Sequence, residues 1–309
     1  MKRADVKTLF TQLPHNPPSC NRAGWMDMRE KLSVFVISYN RAAMLETCLR
    51  AVSFADELIV VDKSSTDASA AIAARYADWV EVVPWTPTVE DTRAFALSLC
   101  RHEWILFLDD DEIVSRATGP YLRGLLAHSE ADIHAIPLRH YVLGVHDERA
   151  HYWPEAHNRM FRRGAISFIP TVHGGARLHS DRIAAIPADT GVCIHHLSHP
   201  DVAGWIERTN RYTAHADRAR IEGGEGDPIR FAHDRIDHWM RLTKDPAPNG
   251  YPAAVALLKA IYDMVDRLKT WEEARGLDGA ALLDRTRAWL EQGEDPALDP
   301  PRGEPPPCP

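Results

Sequence analysis

Three consecutive aspartates followed by a glutamate, Asp109 to Glu112, are the residues whose types and spacing most clearly indicate chemistry. They follow an uninterrupted apolar run at 104–108, which is typical of a parallel strand buried on both faces. Open α/β sheets bind ligands at the carboxyl ends of such strands. Carboxylates this close repel one another unless a cation lies between them, and Mg²⁺ or Mn²⁺ takes oxygen ligands and bridges carboxylates to phosphates. The cluster therefore predicts a divalent-metal site, with a solvated acidic turn as the alternative.

Two further predicted strands also end in polar residues. The apolar run at 34–37 leads to Ser38 and Asn40, and the run at 58–61 leads to Asp62. A third strand is predicted at 79–83, and helical patterns cover 42–52, the stretch up to 76, and 90–100. Strands that alternate with helices of about ten residues indicate βαβ units and a parallel sheet. We therefore expect the polar strand ends to converge at one edge of that sheet.

The composition is that of an ordinary globular protein, with 309 residues, 45% hydrophobic and 26% charged. A net charge of -8 and a pI near 6.0 argue against nucleic acid as a partner. The five cysteines are scattered, with no Cys-x-x-Cys pair, so neither a disulfide framework nor a cysteine zinc site is expected. The sequence shows no signal peptide and no apolar run of membrane-spanning length, and we expect a cytoplasmic protein.

The motifs of the first half occur in a characteristic order. Val-Ile-Ser-Tyr-Asn is followed by Ile-Val-Val-Asp-Lys-Ser-Ser-Thr-Asp, by Arg93 in a helix, and by Phe-Leu-Asp-Asp-Asp-Glu. Over about residues 32–115 this series resembles the family 2 glycosyltransferases, which have the GT-A fold. The resemblance implies an α/β fold with a doubly wound mixed sheet, a nucleotide-sugar donor, transfer with inversion, and Mg²⁺ or Mn²⁺ as the cofactor.

The resemblance also assigns roles to residues. In the family, the aspartate after the second strand contacts the nucleotide base, and the Asp-x-Asp motif holds the metal ion on the diphosphate. These roles fall on Asp62 and on Asp109 with Asp111, and the last aspartate is the surest metal contact. The implied donor-binding residues are Ser38, Asn40, Asp62, Arg93, Asp109 and Asp110. Lys63 stands where many members have a second acidic residue, which leaves the identity of the base open.

Single residues of this set have simpler interpretations. Asp67 can act as a helix cap, and Asn40 can complete a turn at a strand end. Arg93 can bind the diphosphate, contact the aspartate motif, or pair with Glu90 on a solvated face. The functional prediction therefore depends on the set rather than on any one member.

The segment from 151 to 175 resembles a bacterial subgroup that includes lipopolysaccharide inner-core glycosyltransferases. Its Trp-Pro-Glu, Arg-Met-Phe-Arg-Arg and Val-His-Gly correspond to that subgroup's Trp-x-Pro-acid, Arg-Leu-Phe-Arg-Arg and Val-His-Glu. The resemblance implies that this half binds the acceptor, which would be a saccharide or a lipid-linked acceptor. An inverting transferase needs a base for the acceptor hydroxyl. Glu155 and His173 are the candidates, with Glu155 preferred, and Gly174 replaces the subgroup's glutamate.

Three residues of this segment are predicted to contact the acceptor. Trp153 offers a flat ring on which a sugar stacks, and a core tryptophan is the alternative. Arg159 and Arg162 carry guanidinium groups that match phosphate oxygens. Alternation along a strand places these two arginines on opposite faces, so they need not act together.

The histidines that follow a short apolar strand at 191–194 allow three interpretations. His195, His196 and His199 are structural, or one of them completes the coordination of the Asp-x-Asp metal, with His196 the first candidate. The third interpretation is an independent zinc site, although no Cys pair or His-Glu-x-x-His helix accompanies them.

Beyond residue 204 the sequence becomes helical, with patterns at 205–221, 230–243 and 251–276. An apolar stripe that includes Trp239, Leu257 and Leu258 predicts core packing, or alternatively an interfacial surface against a membrane. We divide the chain into an arm at 1–31, a GT-A domain at 32–204 with donor half 32–115 and acceptor half 116–204, a helical region at 205–290 and a disordered tail at 291–309. Two other functions are possible from the sequence. One is a nucleotidyltransferase, although the Gly-rich phosphate loop expected of that class is missing after the first strand. The other is an inactive module that binds a sugar nucleotide.

Overall fold

The computed structural model describes residues 30–86, 89–169, 176–214, 227–244, 247 and 249–292. Strands and helices alternate in its first part, and a series of short strands follows before the chain becomes helical. The elements of the first part are β1 (Leu32–Ser38), α1 (Ala42–Ala51), β2 (Glu57–Asp62), α2 (Ser69–Tyr76), β3 (Trp79–Val82), α3 (Glu90–Leu99), β4 (Trp104–Asp109), β5 (Glu112–Val114) and α4 (Thr118–Leu126). The later elements are β6 (Ile133–Val142), β7 (Glu155–Arg162), β8 (Ile166–Phe168), β9 (Ala176–Leu178), β10 (Ile183–Ala185), β11 (Ile194–His199), α5 (Val202–Ala214), α6 (Pro228–Arg241), α7 (Tyr251–Ala274) and α8 (Gly279–Glu291).

A nine-stranded mixed sheet forms the centre of the fold. Its order is β3-β2-β1-β4-β7-β6-β11-β5, and β10 pairs with β6 outside this path. The first four strands of this order are parallel, whereas β7 runs antiparallel to both of its neighbours, β4 and β6. The doubly wound mixed α/β sheet expected from the sequence is confirmed.

Helices cover both faces of the parallel strands, which explains why those strands are apolar without alternation. Val34 and Val36 of β1 belong to one buried cluster, which also contains Leu45 of α1. The intervening Phe35 belongs to a second cluster on the other face, where its ring stacks on Phe107 with centroids 5.7 Å apart. Both faces being buried, the sheet holds the carboxyl ends of its strands in a fixed arrangement.

The helical C-terminal region packs against the second half of the sheet. Val255 and Leu258 of α7 form a third buried cluster with Val142 and Trp153. The Tyr251 hydroxyl at the start of α7 donates to the carbonyl oxygen of Val142 at 2.6 Å. These contacts attach α7 directly to the predicted acceptor half.

The apolar stripe predicted on these helices divides between the core and the surface. Leu258 is buried, whereas its neighbour Leu257 is 46% exposed, so the stripe contributes to packing along only part of its width. Among the described residues, none of the helices is both long and apolar enough to cross a membrane.

The structure differs from the sequence-based elements in several places. The strand predicted at 191–194 begins at Ile194 and runs through the histidines, because His195 and His196 pair with β5 and β6. Helix α5 begins at Val202 and is described only to Ala214. Strands β5, β8, β9 and β10 and helix α8 were not predicted from the sequence. Residues 1–29 of the predicted arm at 1–31, and residues 293–309 of the predicted tail at 291–309, lie outside the described residues.

Candidate active site

The polar ends of β1, β2 and β4 lie side by side at one edge of the sheet. In the parallel register, Ser38 is opposite Asp62 and Ile37 is opposite Asp109. This convergence is what the sequence predicted, since neighbouring parallel strands end together at their carboxyl termini. The chain then turns sharply from β4 into β5, and the turn carries the remaining acids.

Asp109 is bound by two guanidinium groups. The Arg93 Nη2 donates to both carboxylate oxygens of Asp109, at 2.9 and 3.1 Å, and the Arg159 Nη2 lies 3.7 Å from Asp109 Oδ2. Burial raises the pKa of Asp109, but the charges of Arg93 and Arg159 outweigh it and hold that pKa below its usual value. Of the roles considered for Arg93, the structure shows its contact with the aspartate motif. It also shows the pairing with Glu90, whose Oε1 lies 3.7 Å from Arg93 Nη1, although both side chains are mostly buried rather than on a solvated face.

Glu112 and Arg159 form a fully buried ion pair beneath Asp109. The Arg159 Nη2 donates to Glu112 Oε1, and the backbone N–H of Asp109 donates to Glu112 Oε2 at 3.0 Å. Burial raises the pKa of Glu112, against the opposing charge of Arg159. The Arg159 guanidinium also lies 4.6 Å from the ring centroid of Phe107. Arg159 is thus enclosed below the acidic turn, and its partners are the acids themselves.

Asp110 and Asp111 share the guanidinium of Arg41. Its Nε donates to Asp110 Oδ1 and its Nη2 to Asp111 Oδ2, each at 3.3 Å. The backbone N–H of Tyr39 donates to Asp110 Oδ2 at 3.0 Å. Burial and the charge of Asp111 raise the pKa of Asp110 to about 7. Asp110 is therefore an acid whose negative charge lacks sufficient compensation.

Asp111 receives two further partners from the second half of the chain. Arg208 of α5 places Nη2 at 3.6 Å from Asp111 Oδ2, and His196 of β11 places Nε2 at 3.5 Å from Asp111 Oδ1. Burial opposes ionisation of Asp111, but His196 and the two guanidinium groups hold its pKa far below the usual range. Burial likewise lowers the pKa of His196, and the contact with Asp111 raises it above the usual value. Asp111 and His196 therefore offer a carboxylate oxygen and an imidazole nitrogen close together, and the carboxylate oxygen is a ligand that suits Mg²⁺ or Mn²⁺.

The end of β2 presents a carboxylate oxygen without a partner. Asp62 Oδ1 accepts from the backbone N–H of Ser65 at 2.7 Å, whereas Asp62 Oδ2 is buried with no hydrogen-bond partner among the described residues. The Ser38 hydroxyl is buried without a partner in the same part of the structure. An unpaired buried carboxylate oxygen is costly, so this edge is suited to a ligand that brings a hydrogen-bond donor.

Asn40 and Asp67 form hydrogen bonds between the segments that follow β1 and β2. Asn40 adopts the left-handed conformation at φ 50°, and its side-chain oxygen accepts from the backbone N–H of Thr66 at 2.8 Å. Asp67 accepts from the backbone N–H groups of Ala42 and Ser69, at 3.0 and 2.9 Å. These bonds join the loop after β1 to the loop after β2 and fix the position of Asp62.

Glu155, the preferred base, lies in a group of histidines at the start of β7. Its side chain is 53% exposed, with Oε1 3.4 Å from His157 Nε2 and Oε2 3.9 Å from His140 Nε2. His140 in turn contacts His196 through their Nδ1 atoms at 2.8 Å, which connects the group to Asp111. Burial raises the pKa of Glu155, but the contact with His157 and the charges of the neighbouring histidines and Lys259 outweigh it and keep the pKa below its usual value. The rival base, His173, lies outside the described residues.

Trp153 and Arg162 do not join the acidic turn. Trp153 is 8% exposed, and the Arg139 guanidinium lies 5.0 Å from its ring centroid, as expected for the core tryptophan considered as the alternative. In the strand register, Arg162 lies opposite Trp104, the first residue of β4, whereas Asp109 is the last residue of that strand. Its guanidinium covers the Trp104 ring at 4.3 Å. The predicted separation of Arg159 and Arg162 onto opposite faces is confirmed.

Four residues of this region were not identified from the sequence as members of the site. Arg41 directly follows Asn40, so its position at a strand end was a usable signal. Glu112 was read as part of the acidic run but given no role. Arg208 and His140 are brought in by α5 and β6, and neither has a local signal, because their relation to Asp111 exists only in the folded chain.

Comparisons with known proteins show which family this chain is similar to. Residues 33–181 match the family model described as Glycosyl transferase family 2. An uncharacterized glycosyltransferase of Rickettsia bellii is 27% identical over 219 residues, which are 68% of this chain and 74% of that protein. The lipopolysaccharide core biosynthesis glycosyltransferase LpsC of Rhizobium meliloti is 30% identical over 139 residues. That match covers 43% of this chain and 51% of LpsC, so this chain spans about half the length of that relative.

Two solved structures give more distant matches. S. aureus TarS 1-349 in complex with UDP-GlcNAc has a TM-score of 0.44 and 14% identity, covering 87% of this chain and 94% of the other. Glucosyl-3-phosphoglycerate synthase from Mycobacterium tuberculosis, in complex with Mn²⁺, UDP and glucosyl-3-phosphoglycerate, has a TM-score of 0.31 and 22% identity. That match covers 40% of this chain and 50% of the other.

Proposed function

Because this chain belongs to glycosyltransferase family 2 through residues 33–181, we propose that it transfers a sugar from a nucleotide-sugar donor to a hydroxyl group of an acceptor. The proposal includes inversion at the sugar and dependence on Mg²⁺ or Mn²⁺. The observation that carries it is the convergence of three strand ends. They bring the unpaired oxygen of Asp62 and the neighbouring acids Asp110 and Asp111 to one edge of the sheet.

The nucleotide base would bind at Asp62. Its Oδ2 is buried and unpaired, so it would accept a hydrogen bond from a ring N–H of the base. Ser65 already holds the other carboxylate oxygen, which fixes the direction in which the free oxygen points. Ser38 lies opposite Asp62 at the same edge, and Asn40 is hydrogen-bonded to the loop that follows Asp62. A base without an N–H donor at that place would leave the carboxylate unsatisfied and would be rejected.

The diphosphate would bind beside Asp110 and Asp111, where two guanidinium groups already stand. Arg41 and Arg208 now contact these carboxylates. Guanidinium groups bind phosphate oxygens in the same forked geometry, so both arginines would turn towards the donor when it binds. Arg93 and Arg159 would remain beneath, since they hold Asp109 and Glu112.

A divalent ion would be held by Asp111 and His196 together with the diphosphate, and Asp109 and Asp110 stand beside it. The raised pKa of Asp110 is what a carboxylate shows when its surroundings lack positive charge, and a cation there would favour its ionised form. When bound, the ion would offset the negative charge that develops on the departing diphosphate.

Glu155 would remove the proton from the acceptor hydroxyl. Its lowered pKa keeps it ionised near neutral pH, and its exposure leaves it accessible to an acceptor. A carboxylate in this state accepts a proton as the hydroxyl oxygen attacks the anomeric carbon. Trp153, Arg159 and Arg162 make other contacts, described above, and we therefore base the proposal for the acceptor side on Glu155.

The acceptor would be a saccharide or a lipid-linked saccharide of the cell envelope. The name of LpsC, a lipopolysaccharide core biosynthesis enzyme, supports this class. A lipid-linked acceptor would bring the chain into peripheral contact with the inner face of the membrane. The transferred sugar would be a hexose or a heptose.

A thermal-shift panel tests the donor part of this function. The full chain is heated with UDP, GDP, CDP, ADP or dTDP, each with and without Mn²⁺. One nucleoside diphosphate should raise the unfolding temperature in the presence of Mn²⁺, because a ligand that binds the folded state stabilises it. The same nucleotide should shift Asp62→Ala much less. If no nucleotide shifts the wild type, the donor-binding proposal fails.

A further inference from the structure

His140, Glu155 and His157 form a compact group of metal-binding side chains on the acceptor side of the acidic turn. His140 lies on β6, and the other two lie two residues apart on β7, which places them on the same face of that strand. Each side chain offers one ligand atom, and the three atoms lie within 4.8 Å of one another. Two imidazoles and one carboxylate are the protein ligands of many zinc sites that keep an open position.

We propose that these three side chains bind a divalent transition-metal ion of the zinc type, at a site separate from Asp111. Zinc bonds to nitrogen and oxygen are about 2.0–2.1 Å long, so tetrahedral ligand atoms are about 3.3 Å apart. His157 Nε2 and Glu155 Oε1 are already 3.4 Å apart, and His140 Nε2 is 3.9 Å from Glu155 Oε2. All three ligand atoms lie within 4.8 Å of one another, so small movements of these side chains would bring them to that spacing around an ion.

His157 provides an independent reason for a ligand at this place. Its Nε2 is buried and has no hydrogen-bond partner among the described residues, although Glu155 Oε1 is close. A buried polar atom without a partner loses its hydration without compensation. A metal bond to His157 Nε2 would replace the missing hydrogen bond. The ion would lie on the side of the ring that now faces the Glu155 carboxylate.

The ion would be selected by the softness of its ligands. Imidazole suits Zn²⁺, Cu²⁺ or Ni²⁺, whereas Mg²⁺ prefers oxygen ligands throughout. We therefore expect Zn²⁺ to bind in the presence of excess Mg²⁺. Zinc at this site would also take Glu155 away from the acceptor hydroxyl and inhibit transfer. That consequence rests on the proposed function, whereas the binding itself does not.

Calorimetric titration of the metal-stripped full chain with Zn²⁺ alone, without nucleotide, tests the site. The variants are His157→Ala, Glu155→Gln and Asp111→Ala, and His179→Ala removes an exposed histidine elsewhere as the matched control. We expect His157→Ala and Glu155→Gln to weaken Zn²⁺ binding by roughly tenfold or more, since even outer-shell changes cost that much. Asp111→Ala and His179→Ala should retain a site of near wild-type affinity.

Three outcomes would overturn the proposal. They are an absence of Zn²⁺ binding by the wild type, loss of binding in Asp111→Ala, and unchanged affinity in both His157→Ala and Glu155→Gln. Circular dichroism and the unfolding midpoint of each variant show whether it folds, and Glu155→Gln, at an exposed position, keeps the test valid if His157→Ala does not fold. The thermal shift with a nucleoside diphosphate is measured on the same samples, so failure of the zinc site and failure of the donor site give different results.

Discussion

Removing the buried cation Arg159 should destabilise the fold more than removing any exposed arginine. In Arg159→Met the Glu112 carboxylate, which is fully buried, loses its ion-pair partner, and Asp109 loses one of its two guanidinium contacts. Breaking a buried pair by removing one partner costs about 3–5 kcal/mol, because an uncompensated charge stays behind. We expect the free energy of unfolding at pH 7 to fall by an amount in this range.

Arg162→Met is the matched control on the same strand. Arg162 pairs with Glu30 at 3.3 Å near the surface and covers the Trp104 ring. A partly exposed ion pair contributes about 1 kcal/mol or less, and a cation over a ring adds about 1 kcal/mol. Urea denaturation followed by tryptophan fluorescence compares the two variants. If the free energy of unfolding falls no more in Arg159→Met than in Arg162→Met, the buried ion pair does not make the contribution expected here.

The pH dependence of the lost stability tests whether the uncompensated charge of Glu112 causes it. Burial raises the pKa of Glu112, and the charge of Arg159 opposes that rise, so removing Arg159 raises the pKa further. A raised folded-state pKa means that the folded variant binds a proton more readily than the unfolded chain does. The difference in the free energy of unfolding between the wild type and Arg159→Met should therefore become smaller as the pH falls from 7 towards acid. The double variant Arg159→Met with Glu112→Leu should recover most of the stability at pH 7, and a deficit that stays constant with pH would point to lost packing.

Three further predictions concern the proposed reaction. Asp62→Ala should raise KM for the donor while kcat stays within about tenfold, because the lost contact is to the base and is the same before and during the reaction; a collapse of kcat at unchanged KM would assign Asp62 a different role. Glu155→Gln should reduce transfer by roughly a hundredfold or more while the nucleotide-dependent thermal shift persists; if it stays active and His173→Asn does not, the base is His173. Arg208→Met should weaken donor binding more than Arg211→Met, which removes an exposed arginine one turn further along α5; equal affinities would exclude Arg208 from the diphosphate site.

Local sequence patterns predicted most of the donor half. The apolar runs that become β1, β2 and β4 are long, uninterrupted and bounded by polar residues, and each ends within a residue or two of its predicted position. Because parallel strands end together, the meeting of Ser38, Asp62 and Asp109 follows from the strands alone. The alternation rule likewise separated Arg159 from Arg162 before any contact was known.

The parts that could not be predicted depend on contacts between distant segments. Arg208 reaches Asp111 only because α5 follows β11 across the site, and the sequence around Arg208 is that of any amphipathic helix. Trp153 has the residue type of a sugar platform, yet the packing of α7 buries it. The sequence predicts that the strand ends before His195, because two adjacent imidazoles lower the apolar character of the segment. In the structure, hydrogen bonding to β5 and β6 extends β11 through these histidines.

Hydrolysis of the nucleotide sugar, assayed with and without Mn²⁺, tests the central claim most directly. The assay uses the nucleotide identified by the thermal-shift panel and compares wild type, Asp111→Asn and Asp234→Asn, which changes an exposed acid on α6. We expect the wild type and Asp234→Asn to release nucleoside diphosphate in the presence of Mn²⁺ and to stop in EDTA, and we expect Asp111→Asn to release none under either condition. Release by Asp111→Asn at the wild-type rate, or undiminished release by the wild type in excess EDTA, would contradict a metal-dependent transferase centred on Asp111.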